Sequence, residues 1–331
     1  MISLITLSKI IYFKSSLPKI ITTKIFSLTF ITASLYILFP KYYSIKMSKS
    51  IDIEDIDVKS IITKTQIDID SLIANPYVGC THACRYCYAR FMIRFTSHKG
   101  QKWGTFVDVK HWKPLTDKQK QNLKGQNIMI STVTDAYQQI EKKACRTRAL
   151  LEELKDTGCN IQILTKSSLV LRDIDIFKKF KGKVSIGMSI NTLDENFKNE
   201  MDYASPIHER INALKELHKQ GFYTYIFIAP VFPKITDVID IIKNTKSFIN
   251  EIWIDKLNLI ETSVRHDINE WLDNSKKYKH LRELYDNPDD YYKTLRKDVK
   301  KYCKDNNIKY SRTNEYKFNS KELLICDFMD I

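Results

Sequence analysis

The stretch Asn75–Arg90 reads NPYVGCTHACRYCYAR, and it decides how the rest of the chain is understood. Cys80, Cys84 and Cys87 stand in the spacing C-x3-C-x2-C, with aromatic and basic residues crowded around them. A thiolate is the form of cysteine that binds metal, and C-x-x-C spacing lets two sulfurs reach one centre. A structural zinc ion takes four ligands, usually two such pairs or one pair with two histidines. No second pair follows here: Cys145, Cys159, Cys303 and Cys326 are scattered and read as small buried hydrophobes. His82, between Cys80 and Cys84, would close a cramped chelate. An iron–sulfur cube suits three thiolates better, because three irons take the cysteines and the fourth stays open to something that is not protein.

The bulk properties frame that loop. The chain has 331 residues, 43% of them apolar, which excludes wholesale disorder. Its formal net charge of +14 suits nucleic acid or another polyanion, and equally a lysine-rich surface that keeps the protein soluble. Seven cysteines, an odd number with only three clustered, do not form a secreted disulfide framework. A reducing, cytoplasmic setting is expected. Residues 1–46 carry Lys9, Lys14, Lys19, Lys24, Lys41 and Lys46 but no acid, and enclose the apolar run Ile25–Pro40. That run is short for a membrane span and contains Ser27, Thr29, Thr32 and Ser34. It reads as a membrane anchor, a removed targeting segment, or upstream sequence preceding a true start at Met47.

Beyond Ile51 the pattern alternates. Runs rich in β-branched and aromatic residues occur at Asn127–Ser131, Ile161–Thr165, Val184–Ile190, Tyr223–Ala229 and Ile252–Leu259. Helical periodicity fills the gaps: Gln139–Lys155 before Gly158, a helix from the Ser205-Pro206 cap to Gln220, and Thr236–Phe248. Strand, helix, strand at a repeat of about 30 residues predicts a parallel sheet with crossover helices. From Arg265 onward the chain is charged and helical, with Tyr285, Tyr291 and Tyr292 interleaved and a closing apolar run Leu323–Ile325. This part is read as an elaboration packed on the sheet.

The cysteine motif, with Tyr86 before its last cysteine, resembles the radical SAM superfamily. Within it, NPYVGCTHACRYCYARF is similar to the branch around spore photoproduct lyase, described as DNA repair photolyase-like. The likeness continues in order through ISTVTDAYQQIEKKACRTR (130–148), ILTKSSLVLRD (163–173), VSIGMSINTLDE (184–195) and IAPVFP (228–233). It implies a partial (β/α)6 TIM-like barrel over residues 71–262, preceded by an extension at 47–70 and followed by a helical C-terminal extension at 263–331. Its active site is expected at the C-terminal ends of the strands. It implies a [4Fe-4S] cluster on Cys80, Cys84 and Cys87 that chelates S-adenosylmethionine (SAM). Reduction by a flavodoxin- or ferredoxin-like donor would split SAM to a 5′-deoxyadenosyl radical that abstracts hydrogen from substrate.

Residue by residue, the resemblance places Tyr86 and Tyr88 near the adenosyl group, as candidate catalytic residues. Lys166 falls to the methionine carboxylate, Thr134 and Ser189 to ligand hydroxyl contacts, and Ala229 to a backbone contact with adenine. Asp135, Tyr137, Gln138 and Glu141 fall where a pocket could touch substrate. Each has a plainer reading, since strand-end Lys and Ser are commonly solvated, Thr often caps a helix, and acids suit a helix's first turn.

One departure stands out. Spore photoproduct lyase carries a cysteine that returns a hydrogen atom to its product, and the matching position here is Thr132. An aliphatic O–H bond is too strong for that task, so repair of the spore thymine dimer is not expected unless Tyr86, Tyr88 or Tyr137 substitutes. Three functions therefore stay open: radical chemistry on nucleic acid, the same chemistry on a peptide or metabolite, and a zinc- or cluster-bearing nucleic-acid-binding module without catalysis.

Overall fold

The computed structural model describes residues 51–64 and 71–308. The apolar leader at 1–46, Cys326 and the run Leu323–Ile325 lie outside the described residues. Among the described residues no helix is long and apolar enough to cross a membrane.

Two sheets form. The larger takes β2 (Ile62–Lys64), β3 (Leu72–Ala74), β6 (Asn127–Ile130), β7 (Asn160–Thr165), β8 (Val184–Ser189), β9 (Tyr223–Val231) and β10 (Glu251–Lys256). Their spatial order is β10-β9-β8-β7-β6-β3-β2. From β3 to β10 every neighbour is parallel, and β2 alone runs antiparallel at the edge. Six parallel strands in chain order, open at β10, form the parallel sheet that the alternating pattern predicts and the partial (β/α)6 barrel that the family resemblance implies. The smaller sheet, order β1-β5-β4, joins β1 (Asp52–Val58), β5 (Phe106–Trp112) and β4 (Tyr77–Val78).

Side-chain alternation sorts the barrel strands. Ile128, Ile130, Ile161, Ile163, Ile186, Met188, Ile226, Ile228 and Ile252 face the helices and share one core with Leu150, Leu151, Leu154, Leu214, Leu217, Ile241 and Ile242. The alternate positions face inward. There Tyr225 lies across β8 and donates to the Ile163 carbonyl at 2.9 Å. Only glycine fits beneath it, since a Cβ on Gly187 would sit 2.1 Å from the Tyr225 ring. Trp253 packs on Tyr225 at 4.7 Å, so an aromatic floor underlies the strand ends.

Three helical expectations change. Gln139–Lys155 is two helices, Glu141–Ala144 and Arg146–Leu154, because Cys145 takes a left-handed conformation (φ +51°) between them. Cys145 is accordingly half-buried, whereas Cys159 and Cys303 lie in the core as read. Ser205 does not cap the helix Ile207–Lys219; its hydroxyl accepts from the Ser168 amide at 3.1 Å. The helix Val238–Thr245 starts at Asp237, whose carboxylate accepts from the Asp240 amide, and ends in a 3-10 turn over Lys246–Phe248.

The C-terminal extension, helices Thr262–Asn274, Arg282–Asp286 and Asp289–Asp305, packs over the strand ends. Trp271, Leu272, Tyr278 and Tyr285 build a second core with Phe197, Phe232, Tyr86 and Cys84. Tyr292 donates to the Val231 carbonyl at 2.9 Å and accepts from the Leu257 amide, which docks the last helix on β9.

Candidate active site

The cysteine loop begins where β3 ends, at the C-terminal rim of the parallel strands, and two neighbouring loops grip it. After β6, Asn75 accepts from the Thr132 amide at 2.8 Å and donates to the Thr132 hydroxyl at 3.1 Å. Gln138, fully buried, accepts from the Thr81 amide at 2.8 Å and donates to the Gly79 carbonyl and the Thr134 hydroxyl. Thr134 itself donates to Gly79 at 2.6 Å. After β8, the Tyr203 amide donates to the His82 carbonyl at 2.8 Å, and the Arg85 amide to Met201 at 2.9 Å.

This grip holds Cys80 and Cys84 buried and Cys87 half-buried. Burial pushes every one of these thiols up, Cys84 to about 12. Cys80 is raised further by Asp135 and then by Cys84 and Cys87, so the three thiols act on one another. Lys166 opposes burial first and most at both Cys84 and Cys87. Burial acts to lower the Lys166 ammonium, but Cys84 and Asp202 outweigh it and hold the proton on. Its Nζ stands 5.2 Å over the Tyr86 ring. Cation and thiols thus belong to one site.

Tyr86 is buried and donates to Asp202 at 2.9 Å. Asp202 also accepts from Arg210, which is fully buried and reaches the Ser189 carbonyl at 3.2 Å and the Ser205 carbonyl at 2.7 Å. Asp202 and Arg210 are absent from the sequence reading, and no motif marks them, because their partner Tyr86 is more than a hundred residues away in the chain. Ser189 and Ala229 meet: the hydroxyl donates to the Ala229 carbonyl at 3.4 Å.

The four residues read as a substrate pocket fall into two groups. Asp135 and Gln138 brace the site. Asp135 accepts from the Tyr137 amide, the Thr165 hydroxyl and the Lys166 amide, at 2.9, 2.7 and 2.8 Å. Burial would raise its carboxyl, but His82, Nδ1 at 3.4 Å, and these hydrogen bonds hold it far below the usual range. Tyr137 and Glu141 are fully buried behind the loop, Tyr137 in the main core and Glu141 accepting from Tyr77, the Thr147 amide and Arg172.

Tyr88, by contrast, is 39% exposed, and its hydroxyl donates to the Thr132 carbonyl. Asp255, which the sequence reading did not single out, lies near enough for its charge to act on Tyr88. It shares the inward face of β10 with Trp253, and a carboxylate at the C-terminal end of a barrel strand is the signal that marks it. The β9/β10 register slips between Ile254 and Lys256, so Asp255 sits on a bulge, a device that re-aims a side chain beside active sites. Water reaches Asp255, yet burial lifts its carboxyl to about 6, against hydrogen bonding and charge from Lys256. The Tyr88 phenol is raised by burial first, then by Cys87 and by the Asp255 charge.

The donor set fits an iron–sulfur cluster. Three thiols share one loop, no other cysteine of the described residues joins them, and His82 is turned to Asp135 rather than offered as a fourth ligand. Around them the buried donors Thr81 Oγ1, Trp103 Nε1 and Ser131 Oγ have no hydrogen-bond partner.

A fold of six parallel strands with such a loop at its rim defines a class, and comparison identifies it. The chain belongs to the radical SAM superfamily, whose model matches residues 74–245. It is 42% identical over 214 residues to an uncharacterized protein of Methanocaldococcus jannaschii, covering 64% of this chain and 80% of that one. It is 26% identical over 174 residues to the radical SAM Nα-GlyT isomerase of Pseudomonas phage M6, covering 52% of this chain and 35% of the relative. Among solved structures it is similar to a spore photoproduct lyase variant with bound AdoMet and dinucleoside spore photoproduct. That match has a TM-score of 0.52 and 12% identity, covering 68% of this chain and 67% of that chain, a likeness of fold.

Proposed function

We propose that the protein is an enzyme that holds a [4Fe-4S] cluster on Cys80, Cys84 and Cys87, binds SAM at the iron these leave open, and abstracts hydrogen from a nucleic-acid or nucleotide substrate. The observation that supports it most is the convergence of three thiols with the protonated Lys166, joined by no further cysteine among the described residues. When bound and reduced, by a flavodoxin- or ferredoxin-like donor, the cluster supplies the electron that cleaves SAM and yields the 5′-deoxyadenosyl radical.

The chain's own residues do the rest. Lys166 keeps its charge beside the thiols, which suits the methionine carboxylate. Ser189 and the Ala229 carbonyl offer a polar pair at adjoining strand ends for the ribose and adenine. Asp202 fixes the Tyr86 ring against the same space. Thr134, Gln138 and Asp135 act through the loop they brace, as positioning residues. Of the three tyrosines that stand in for the missing hydrogen donor, Tyr137 is enclosed in the core and Tyr86 is committed to Asp202, whereas Tyr88 reaches the opening at Thr132. The hydrogen-return role falls to Tyr88. Nucleic acid is favoured by the net charge of +14, and by the dinucleoside bound to the spore photoproduct lyase of similar fold.

Anaerobic reconstitution tests the reading. A brown protein with about four irons, forming 5′-deoxyadenosine on reduction and losing both properties in Cys84→Ala, is the expected result. A colourless protein holding one zinc overturns it. Binding to single- or double-stranded DNA or RNA should weaken steeply with salt; no binding moves the substrate to a peptide or metabolite.

A further inference from the structure

We propose that the indole N–H of Trp103 donates a hydrogen bond to the Cys87 sulfur when that sulfur is an iron ligand, and so raises the reduction potential of the cluster. The inference rests on the cluster reading above. It concerns a residue that the cysteine motif does not include.

The warrant is packing and an orphaned donor. Trp103 is 7% exposed, and its Nε1 is buried with no hydrogen-bond partner. A buried N–H left unpaired costs about 1–3 kcal/mol, so its retention asks for an acceptor that arrives later. Trp103 belongs to the small apolar cluster of Cys80, Ala89, Phe91, Phe106 and Val133, and Cys87 packs against that cluster. Phe106 fixes the indole edge-on at 5.8 Å. The chain beside it is pressed against the cysteine loop: a Cβ on Gly104 would lie 2.3 Å from the Cβ of Ala83, and Gly104 has φ +92°. No larger residue lets the segment approach so closely. That contact fixes the backbone from which the indole projects.

Cys87 packs on the same apolar cluster that holds the indole and its unpaired N–H. The hydrogen bond is not closed in the thiol form, because a neutral S–H is a weak acceptor. A thiolate is a strong one. A donor to a cluster sulfur stabilises the more negative, reduced state, which moves the potential upward. A cluster that must reduce SAM is thereby made easier to load with its electron.

The test uses full-length, anaerobically reconstituted protein, wild type, Trp103→Phe and Trp103→His, with iron and sulfide content measured on each. In an EPR-monitored redox titration, Trp103→Phe should lower the reduced-to-oxidised ratio at fixed poise about tenfold, equal to about 59 mV for a one-electron couple. Trp103→His, which keeps an N–H, should recover part of it. Wild type labelled with 15N-indole tryptophan should show a weak 15N coupling to the reduced cluster, which needs no variant to fold. An unchanged potential in Trp103→Phe overturns the proposal, as does absence of that coupling. Wild type that takes up no cluster removes the functional reading itself, a different and separately visible failure.

Discussion

Tyr88 donates its phenolic hydrogen to the backbone carbonyl of Thr132. That places a redox-capable ring against the position where spore photoproduct lyase has its hydrogen-donating cysteine. A phenol gives up hydrogen more readily than an aliphatic alcohol, because the ring delocalises the unpaired electron. Tyr88→Phe is expected to cleave SAM on reduction at the wild-type rate, yet to fail in turnover on substrate. Freeze-quenched turnover should show a tyrosyl EPR signal in wild type and in Tyr137→Phe, and none in Tyr88→Phe. Persistence of the signal in Tyr88→Phe would assign the role elsewhere.

Lys166→Ala should keep the cluster and lose affinity for SAM by about 10- to 100-fold, the worth of one charge-assisted contact of roughly 1.5–3 kcal/mol. The readout is the change in the EPR spectrum of the reduced cluster as SAM is titrated. Unchanged affinity would leave the ammonium as a neutralising charge for the thiolates alone.

Asp135→Ala removes the acceptor of three hydrogen bonds, from Tyr137, Thr165 and Lys166. Chemical denaturation of the cluster-free chain at pH 7 should show a loss of about 3 kcal/mol or more. The Asp135 carboxyl is held below its ordinary value, so its contribution is present above about pH 4 and lost as the pH falls further. The gap between variant and wild type should therefore close toward acid. A gap that widens there would contradict the assigned charge state.

Asp255 has the opposite sign. Its carboxyl is raised from 3.8 to about 6, so the folded protein binds the extra proton between those values and loses stability as the pH rises through them. Asp255→Asn should raise the Tm at pH 7 and lose that advantage near pH 4. The same variant should alter turnover but not reductive cleavage of SAM in the absence of substrate. Equal Tm differences at both pH values would show that burial does not perturb the group.

The parallel strands were legible because a β-branched run is a local signal, and the cysteine loop because its spacing is. What escaped depends on distance. Asp202, Arg210 and Asp255 take their meaning from Tyr86, Ser189 and Tyr88, which lie in other loops or on other strands. The break at Cys145 escaped because helical periodicity continues across it, while the Glu141 carboxylate behind it accepts from Arg172 and the Thr147 amide. The acids of the TDAYQQIE segment looked like pocket residues by position alone. The fold spends Asp135 and Gln138 on bracing and encloses Tyr137 and Glu141.

The cysteine loop leaves the large sheet at Ala74, and the chain crosses at once to the small sheet at Tyr77, which pairs with Val109. The thiols therefore lie between two strands of the small sheet, β4 and β5, just beyond its junction with the large one, and that small sheet needs β1 and β5 in place. The loop is therefore fixed only once both sheets have formed, and a metal group held by it would be taken up after they have docked. Loosening the small sheet, for instance by disrupting the β1/β5 pairing, should release metal well before the main sheet melts.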